Sequence, residues 1–503
     1  MLKIVLCYAC LSVMCALPAM AQLPKRSLPQ NINRPNYSHI FPSLSGDGNQ
    51  MVFFSNYTNS EGFEARYSVK TGPESWTDPE PLSGISRQAL DHIGSYCLSH
   101  DGNTLVFASR RSPGIGNYDI WVSEKIGEKW TEPKNPGKPL NSPTNEGNPC
   151  LSPDGKSIYF MRCETMDQIN KNKCRLFVAH KKGNSWQEAE ALPEDINTGH
   201  ETTPRILADN KTLIFASGRP GGKGMLDLYI STFDDEKWQA PRSLDFLNSE
   251  LNEEYVSVPA RGDLLYFSAP YREDQRLFMT LVPEAYQQNK VLMLTGTIDY
   301  ADGQDPVDDV LVQAYDVEKG TLFSNTKLRQ HDRGYTMFLP EGSAYDVSFF
   351  PQTGGHVFAS QLIDLSHMQI SRKEDWTTTL EAVRPGVEIP LFAIRFERYG
   401  ADLSGTSETA IKRIVGFLKK NPGIKAEIGA FIDKVYYDSL SSNELNEVLA
   451  DTVFLTLKKS LPYKPEQPGS ENQDIENGVA PDGQSGSSIE LRTKMRFWPV
   501  VTS

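Results

Sequence analysis

The sequence predicts a mainly β fold: a five-bladed β-propeller, then a small β-sandwich, then an α/β domain at the C-terminus. Two markers that share one period predict the propeller. The turn of each repeat recurs every 52 to 55 residues, at Asp47, Asp101, Asp154, Asp209 and Arg261. A tryptophan follows in the first four repeats, at Trp76, Trp130, Trp186 and Trp238. Each repeat reads as one small antiparallel sheet that cannot bury both faces alone, so we expect the sheets to stack radially as blades.

Each repeat has the same order of elements, namely a turn, a strand, a loop and a second strand. The turn of the third repeat, Leu151 to Gly155, ends in Asp-Gly, which favours the positive φ of a tight hairpin. The aromatic and β-branched runs that follow, such as Ile158 to Phe160, suit buried strands. The fifth repeat lacks its own tryptophan and outer strand.

The N-terminal segment carries what the fifth repeat lacks. Residues Leu28 to Asn33 read Leu-Pro-Gln-Asn-Ile-Asn, and Leu192 to Asn197, which lead into the fourth repeat, read Leu-Pro-Glu-Asp-Ile-Asn. We therefore predict that the N-terminal strand completes the last blade, which would remove the free edges of the stacked sheets.

The run Leu151 to Lys156 reads Leu-Ser-Pro-Asp-Gly-Lys, the mark of the PD40 or TolB-like subclass of WD40-like propellers. The chain resembles this subclass over about residues 25 to 285, and we place the propeller at residues 22–286. The resemblance implies the fold and no particular activity.

Residues 1–21 read as a signal peptide, with Lys3 before an apolar run and Ala19-Met20-Ala21 as the cleavage site. The alternative is a lipoprotein signal that uses Cys15. Export predicts a periplasmic protein, in a compartment that permits disulfides.

Four cysteines remain after cleavage: Cys97, Cys150, Cys163 and Cys174. Cys163 and Cys174 flank a polar loop between two strand-like runs, so we predict that they form a disulfide; the alternative is two free thiols. The spacing of Cys and His matches no zinc site, and we expect no metal and no cofactor.

Residues 291–383 alternate apolar and polar side chains between turns, which predicts a small antiparallel sandwich. The runs Gly296-Thr297-Ile298 and Asp332-Arg333-Gly334-Tyr335 resemble the carboxypeptidase regulatory-like domain. That resemblance implies a spacer or binding module without catalytic residues.

Residues 387–503 read β-α-β-α-β, with a loop at residues 464–488 that its composition predicts to be disordered. The predicted elements include a strand from Ile389 to Phe396, a helix around Ile411 to Leu418 and a strand from Lys425 to Phe431. The strands and the Asn421-Pro422 junction resemble the OmpA-like peptidoglycan-binding domain.

The OmpA-like resemblance implies a peptidoglycan site in which an Asp and an Arg grip the diaminopimelate of the stem peptide. Asp433 matches the Asp, but Leu449 stands in place of the Arg. A ligand carboxylate needs a charge-paired donor, which leucine cannot supply. We therefore expect weak or no peptidoglycan binding unless Arg492 compensates.

The order of the three domains resembles envelope proteins of Bacteroidota, among them the periplasmic propeller and OmpA-like component of the type IX secretion and gliding machinery. A net charge of −13 disfavours nucleic acid, and no apolar run predicts a transmembrane helix. We predict a non-catalytic cell-envelope scaffold, peripheral to the outer membrane, whose propeller binds an envelope protein partner.

Two alternatives remain open at this point: glycan or peptide capture by the propeller, and, as the weaker one, a propeller hydrolase. Loop residues with side chains typical of interfaces are the candidate contacts, namely Arg110, Arg111, Tyr118 and Arg219. The competing interpretation of these four is ordinary exposed loop charge.

Overall fold

A computed structural model describes residues 24–57, 62–82, 85, 91–166, 171–306, 309–385, 387–394, 405, 407–431 and 492–499. The described chain is mainly β, and no helix within it is long and apolar enough to cross a membrane. Several predictions fall outside the described residues: the signal peptide, Cys15, Asp433, Leu449, the second tail helix and the loop at 464–488.

Five antiparallel sheets follow one another between residues 26 and 281, and we number them 1 to 5 in the order of their repeats. Sheet 1 consists of His39–Leu44, Gln50–Ser55, Glu64–Val69 and Glu80–Pro81. Sheet 2 consists of Tyr96–Leu98, Thr104–Ser109, Asp119–Ile126 and Lys129–Trp130. Sheet 3 consists of Asn145–Leu151, Ser157–Cys163, Arg175–Lys182, Ser185–Trp186 and Glu190–Ala191. Sheet 4 consists of Glu201–Ile206, Thr212–Ser217, Asp227–Asp234, Lys237–Trp238 and Arg242–Ser243.

Sheet 5 consists of Leu264–Tyr271, Asp274–Leu281 and the N-terminal strand Arg26–Ser27, and Ser257 bridges to Tyr266 at the inner position. The remaining small elements of this region are the ribbon Thr165–Met166 with Lys171–Asn172, the helix Asp91–Gly94 and the 3-10 helix Glu284–Tyr286. The first strand of sheets 1 to 4, together with the segment around Ser257, is called the inner strand below.

Hydrogen bonds connect the five sheets into a closed ring. They join Leu98 N to Ser43 Oγ at 2.9 Å, Asn148 Nδ2 to Gly94 O at 3.4 Å, Glu201 N to Cys174 O at 3.0 Å, Arg205 Nε to Val256 O at 3.2 Å and Leu44 N to Ser257 Oγ at 2.9 Å. The last of these bonds joins sheet 5 back to sheet 1. A radial ring of sheets is the arrangement that the repeat predicts, and it fits a propeller fold.

The predicted pairing of the N-terminal strand with the last sheet is confirmed. Arg26 pairs with Met279 and Ser27 pairs with Phe278. Asn33 then donates to Leu277 O at 2.8 Å and accepts from Leu277 N at 2.9 Å. The same two-way contact to a third-strand backbone recurs in sheets 2, 3 and 4, made by Asn141 to Ile120, Asn197 to Leu176 and Asn248 to Leu228. The N-terminal segment therefore takes in sheet 5 the place that a following connection takes elsewhere.

The predicted disulfide between Cys163 and Cys174 is confirmed, with Cα atoms 4.0 Å apart. It ties the end of the second strand of sheet 3 to the residue just before the third strand. Cys97 and Cys150 are free and buried.

The region after the ring is a sandwich of two four-stranded sheets with a shared apolar core. One sheet contains Val291–Tyr300, Gly334–Pro340, Arg372–Asp375 and Thr378–Leu380; the other contains Val310–Asp316, Thr321–Lys327, Ala344–Pro351 and Ala359–Asp364. The prediction of an antiparallel sandwich is wrong at one edge, since Val291–Tyr300 runs parallel to Arg372–Asp375 and Thr378–Leu380. After Asp364 the chain crosses from one sheet to the other, and such a crossover permits parallel pairing.

The tail contains the strand Glu388–Pro390, the helix Ser407–Lys420 and the strands Ile424–Phe431 and Arg492–Pro499, the last lying between the other two. The predicted helix and second strand are confirmed. The first strand ends at Pro390, earlier than predicted; of the rest of its predicted span, residues 395 and 396 lie outside the described part. The helix buries Ile411, Ile414 and Phe417 in a core that also contains Phe350 and Phe358 of the sandwich.

Candidate functional site

The sandwich covers one of the two faces of the ring. Phe338 of the sandwich makes an edge contact with His100, with ring centroids 5.7 Å apart, and Lys373 Nζ lies 3.1 Å from Asp47 Oδ2. Asp47 and His100 belong to the turns between first and second strands, so we call this side the turn face. The opposite side carries the loops between second and third strands and is called the loop face.

Two of the four predicted partner contacts, Arg111 and Arg219, hold the ring together. Arg111 Nη2 donates to Ile85 O at 2.5 Å, and its guanidinium lies 4.7 Å from the centroid of Phe107. Arg219 Nη2 donates to Ile196 O at 2.8 Å and lies 4.6 Å from the ring of Tyr229. Each arginine thus fixes the connection that leads into its own sheet from the preceding one.

Arg162, which the sequence analysis did not single out, makes the equivalent contact in sheet 3. Its Nη2 donates to Leu140 O at 3.1 Å, and its guanidinium lies 4.8 Å from the centroid of Phe177. The recurrence in three sheets shows that this arginine is part of the repeat. In sheets 2 and 4 the arginine lies two residues after the end of the second strand, whereas Arg162 lies within the second strand of sheet 3.

The prediction that Tyr118 lies on an exposed partner surface is wrong, because the side chain is fully buried in the core of sheets 2 to 4. Tyr118 directly precedes the strand Asp119–Ile126, and its side chain packs into the core beside that strand. Arg110 is exposed, with its guanidinium 5.9 Å from the Tyr118 ring centroid.

Three carboxylates hold the loops that lead into the inner strands. Glu146 accepts from Ser142 Oγ at 2.5 Å, Glu201 accepts from Thr198 Oγ1 at 2.8 Å, and Glu253 accepts from Ser249 Oγ at 2.5 Å. Burial raises the pKa of Glu146 and of Glu253. The sequence signal, missed above, is a Ser or Thr three or four residues before each Glu. In the described part of the chain, no three His, Cys, Asp or Glu side chains are grouped to hold a metal ion.

The inner strands share a left-handed backbone residue that is not a glycine, so the sequence does not reveal it. One non-glycine residue in, or directly before, each inner strand has a positive φ. These residues are named the mouth ring: Phe41 (59°), Ser95 (61°), Asn148 (46°), Thr203 (48°) and Tyr255 (56°). They recur at the repeat interval, and in sheets 1, 3 and 4 they coincide with a break in strand register. Each left-handed residue of this kind costs on the order of 1–3 kcal/mol, so the surrounding ring must enforce it.

Two residues further along each inner strand lies a second layer, the axial layer: Ser43, Cys97, Cys150, Arg205 and Ser257. Four of its side chains are small, and the arginine reaches into the space that they leave. Arg205 Nη1 lies 2.6 Å from Cys97 Sγ and 3.8 Å from Cys150 Sγ. One side chain from sheet 4 therefore contacts sheets 2, 3 and 5 at once.

The Cys97 thiol lies beside the charged guanidinium of Arg205. The hydrogen bond from Cys150, together with the guanidinium of Arg205, lowers the pKa of the Cys97 thiol to about 6, although burial opposes this shift. Burial raises the pKa of Cys150. The axial layer thus places the Cys97 thiol, with its lowered pKa, beside the guanidinium of Arg205, and a thiolate there would provide the pairing that a charge removed from water requires.

The predicted peptidoglycan site of the tail is only partly within the described residues. Arg492 pairs with Phe431 across neighbouring strands, and Asp433 follows Phe431 by two residues. Asp433 and Leu449 lie outside the described residues, and weak peptidoglycan binding stays a prediction.

The loop face carries exposed apolar side chains that the sequence analysis did not single out. Met225, in the second-to-third-strand loop of sheet 4, is 81% exposed, and Leu251, in the connection from sheet 4 to sheet 5, is 54% exposed. Ile115 of sheet 2 and Tyr271 of sheet 5 are exposed in the corresponding loops. Arg276 lies with its guanidinium 3.9 Å from the centroid of Tyr271.

Comparisons with known proteins give low similarity. No protein-family model and no curated protein matches the chain. An α-L-arabinofuranosidase from Podospora anserina has 11% identity and a TM-score of 0.31, covering 51% of this chain and 94% of its own. An endo-arabinase from Bacteroides thetaiotaomicron has 12% identity and a TM-score of 0.34, covering 52% and 98%. An oligogalacturonate lyase has 10% identity and a TM-score of 0.31, covering 50% and 92%. Similarity at this level assigns no activity to this chain.

Proposed function

We propose that this protein is a non-catalytic scaffold of the bacterial cell envelope, in which a five-bladed propeller binds a protein partner through its loop face. The observation that carries this proposal is the difference between the two faces of the ring. The sandwich occupies the turn face, whereas the loop face presents Ile115, Met225, Leu251 and Tyr271. Contiguous patches of exposed apolar side chains mark protein interfaces, and the segments of Met225 and Leu251 are joined by a hydrogen bond from Glu253 N to Leu226 O at 3.0 Å.

The composition of the loop face suits a protein partner. Met225 is unbranched and adapts its shape to an opposing surface. Tyr271 with Arg276 beside it combines two residue types that are enriched at interfaces. The buried glutamates Glu146 and Glu201 are engaged in holding loops, which supports a binding role over a hydrolytic one.

The sandwich and the tail are attached to the ring, which suits a scaffold that links a bound partner to the cell envelope. Gln288 Oε1 accepts from Ala208 N at 2.9 Å, which fixes the start of the sandwich to the turn face. Arg413 of the tail helix forms a buried ion pair with Asp346 of the sandwich at 2.5 Å. The resemblances to the carboxypeptidase regulatory-like and OmpA-like domains support a place in the periplasm, peripheral to the outer membrane, and a link to type IX secretion or gliding machinery.

Site-specific photo-crosslinking in the native host tests the proposal. A photoreactive residue replaces Met225 on the loop face, and a matched one replaces Ile370 of the sandwich, which is 70% exposed. We expect a discrete crosslinked protein from position 225 and none of the same mass from position 370. The same product from both positions, or none from position 225, would contradict a partner on the loop face.

A further inference from the structure

Two free thiols meet at the axis of the ring, where the proposed scaffold role makes no use of them. Cys97 and Cys150 lie on the inner strands of sheets 2 and 3, and their side chains are buried. Both sulfur atoms contact one nitrogen, Arg205 Nη1, at 2.6 Å and 3.8 Å. Cys97 also forms hydrogen bonds with the Cys150 side chain and with the backbone of Leu151 beside it. The Cys97 side chain is therefore directed at the strand that carries Cys150.

The two thiols differ as a nucleophilic thiol differs from a resolving thiol. The hydrogen bond from Cys150 and the charge of Arg205 lower the pKa of Cys97 to about 6, which favours its thiolate at neutral pH. Burial raises the pKa of Cys150, which favours its protonated form. A thiolate reacts with oxidants, and a thiol next to the oxidised sulfur then completes a disulfide. The axial layer holds one group of each kind in contact.

We propose that Cys97 and Cys150 are oxidised by hydrogen peroxide to a disulfide that links sheets 2 and 3. First, the Cys97 sulfur attacks one oxygen of the peroxide, the O–O bond breaks, and hydroxide leaves as Cys97 becomes a sulfenic acid. Next, the Cys150 sulfur attacks the sulfenic sulfur, an S–S bond forms, and the Cys150 proton leaves with the sulfenic oxygen as water. The two sulfurs together lose the two electrons that the peroxide gains.

The burial of the two thiols determines which oxidant reaches them. Peroxide is a neutral molecule little larger than water, so a transient local opening of the ring admits it and no lasting cavity is needed. A bulky disulfide reagent needs a wider opening. We therefore expect peroxide to oxidise the pair in the folded protein and oxidised glutathione to leave it reduced.

Oxidation also changes the surroundings of Arg205. The disulfide carries no charge, so the guanidinium can no longer be compensated by a thiolate of Cys97, while Arg205 Nε keeps its bond to Val256 O at 3.2 Å. A buried charge without a counter-charge is costly. The oxidised ring thus gains a covalent link between sheets 2 and 3 and loses a favourable contact of sheet 4.

Non-reducing peptide mapping by mass spectrometry tests the proposal on the folded full-length protein treated with hydrogen peroxide, its remaining thiols then blocked by N-ethylmaleimide in denaturant. We expect a linked peptide pair that contains Cys97 and Cys150. Cys150→Ser should stop at a sulfenic acid on Cys97 that dimedone traps, and Cys97→Ser should leave Cys150 as a labelled thiol. The double variant Cys163→Ser, Cys174→Ser is the control and should still give the linked pair, which excludes exchange with the structural disulfide.

Three results would overturn the proposal. Complete labelling of both cysteines after peroxide would show that the folded ring does not oxidise them. Oxidation of Cys97 to sulfinic acid without a linked peptide would show that Cys150 does not reach it. A linked pair that forms only when peroxide is added in denaturant would show that the folded ring does not hold the thiols for reaction. Neither cysteine lies on the loop face, so this inference and the crosslink expected from Met225 can fail separately.

Discussion

At the scale of single residues, the axis of the ring depends on one arginine set among four small side chains. Arg205 contacts three other sheets, and the lowered pKa of the neighbouring Cys97 thiol favours a thiolate that would compensate its charge. This contact joins sheets that meet only in the folded ring, and Cys97, Cys150 and Arg205 are separated by 53 and 55 residues. It therefore could not be predicted from the sequence.

The Cys97 thiol should titrate well below a free thiol. Its pKa is lowered from 9.0 to about 6, so between these values the unfolded state binds more protons and the free energy of unfolding rises with pH. We expect the thiolate absorbance of the native protein to titrate near pH 6 and to move to higher pH in Arg205→Met and Cys150→Ala. Cys97→Ala is the control and should lose both the absorbance change and this part of the pH-dependent stability. A wild type with no thiolate below pH 8 would contradict the pairing.

The loop arginines show what residue type alone does not predict. Arg111 and Arg219 were predicted as partner contacts because of their residue type, but each donates to a backbone carbonyl of the preceding connection. Residue type alone does not separate an interface arginine from one that holds a loop. Comparison of the repeats with each other, including Arg162, would have shown that the position is structural.

At the scale of elements, the repeat predicted most of what the structure shows. Turn residues and apolar runs act locally, so the strands, the N-terminal pairing and the Cys163–Cys174 link could be predicted from their spacing. The mouth ring could not, because Phe41, Thr203 and Tyr255 adopt a left-handed backbone that residues of their type normally avoid. Tertiary constraint from the closed ring overrides local preference there.

The closure of the ring by the N-terminal segment makes Asn33 a structural residue. Asn33→Ala leaves the N–H and C=O of Leu277 without their side-chain partner, and we expect it to lower the free energy of unfolding by about 1–3 kcal/mol. Asn197→Ala should cost a similar amount, since Asn197 makes the same contact in sheet 3. Gln30→Ala, at an exposed position of the same segment, is the control in denaturant titrations. Equal stability of Asn33→Ala and Gln30→Ala would show that the segment does not close the ring.

The disulfide should stabilise sheet 3 through the short loop that it closes. Its cysteines are 11 residues apart, and the chain-entropy model gives on the order of 2–3 kcal/mol for a loop of that size. We expect the Cys163→Ser, Cys174→Ser double variant to unfold at lower denaturant by that amount. Reducing agent should destabilise the wild type equally and leave the variant unchanged. No difference between oxidised wild type and variant would count against the link.

At the scale of the whole molecule, the placement of the sandwich on the turn face decides which side of the ring is available. The contacts that fix it, such as Phe338 with His100 and Lys373 with Asp47, are single pairs far apart in the sequence. Such pairs carry no periodic signal, so the covered face could not be predicted. The order of the three domains could, because each has its own pattern of strands and turns.

Quantitative mass spectrometry of proteins co-purified from crosslinked native cells tests whether the loop face binds a protein partner. The Met225→Glu, Leu251→Glu double variant places two charges on the loop face, and Ile370→Glu places one on the exposed sandwich surface. Loss of interface anchors typically costs about 2 kcal/mol or more, roughly a thirtyfold loss of affinity. We expect that a defined set of envelope proteins is recovered with wild type and with Ile370→Glu, and that its recovery falls at least about tenfold with the double variant. Unchanged recovery of that set with the double variant would contradict it.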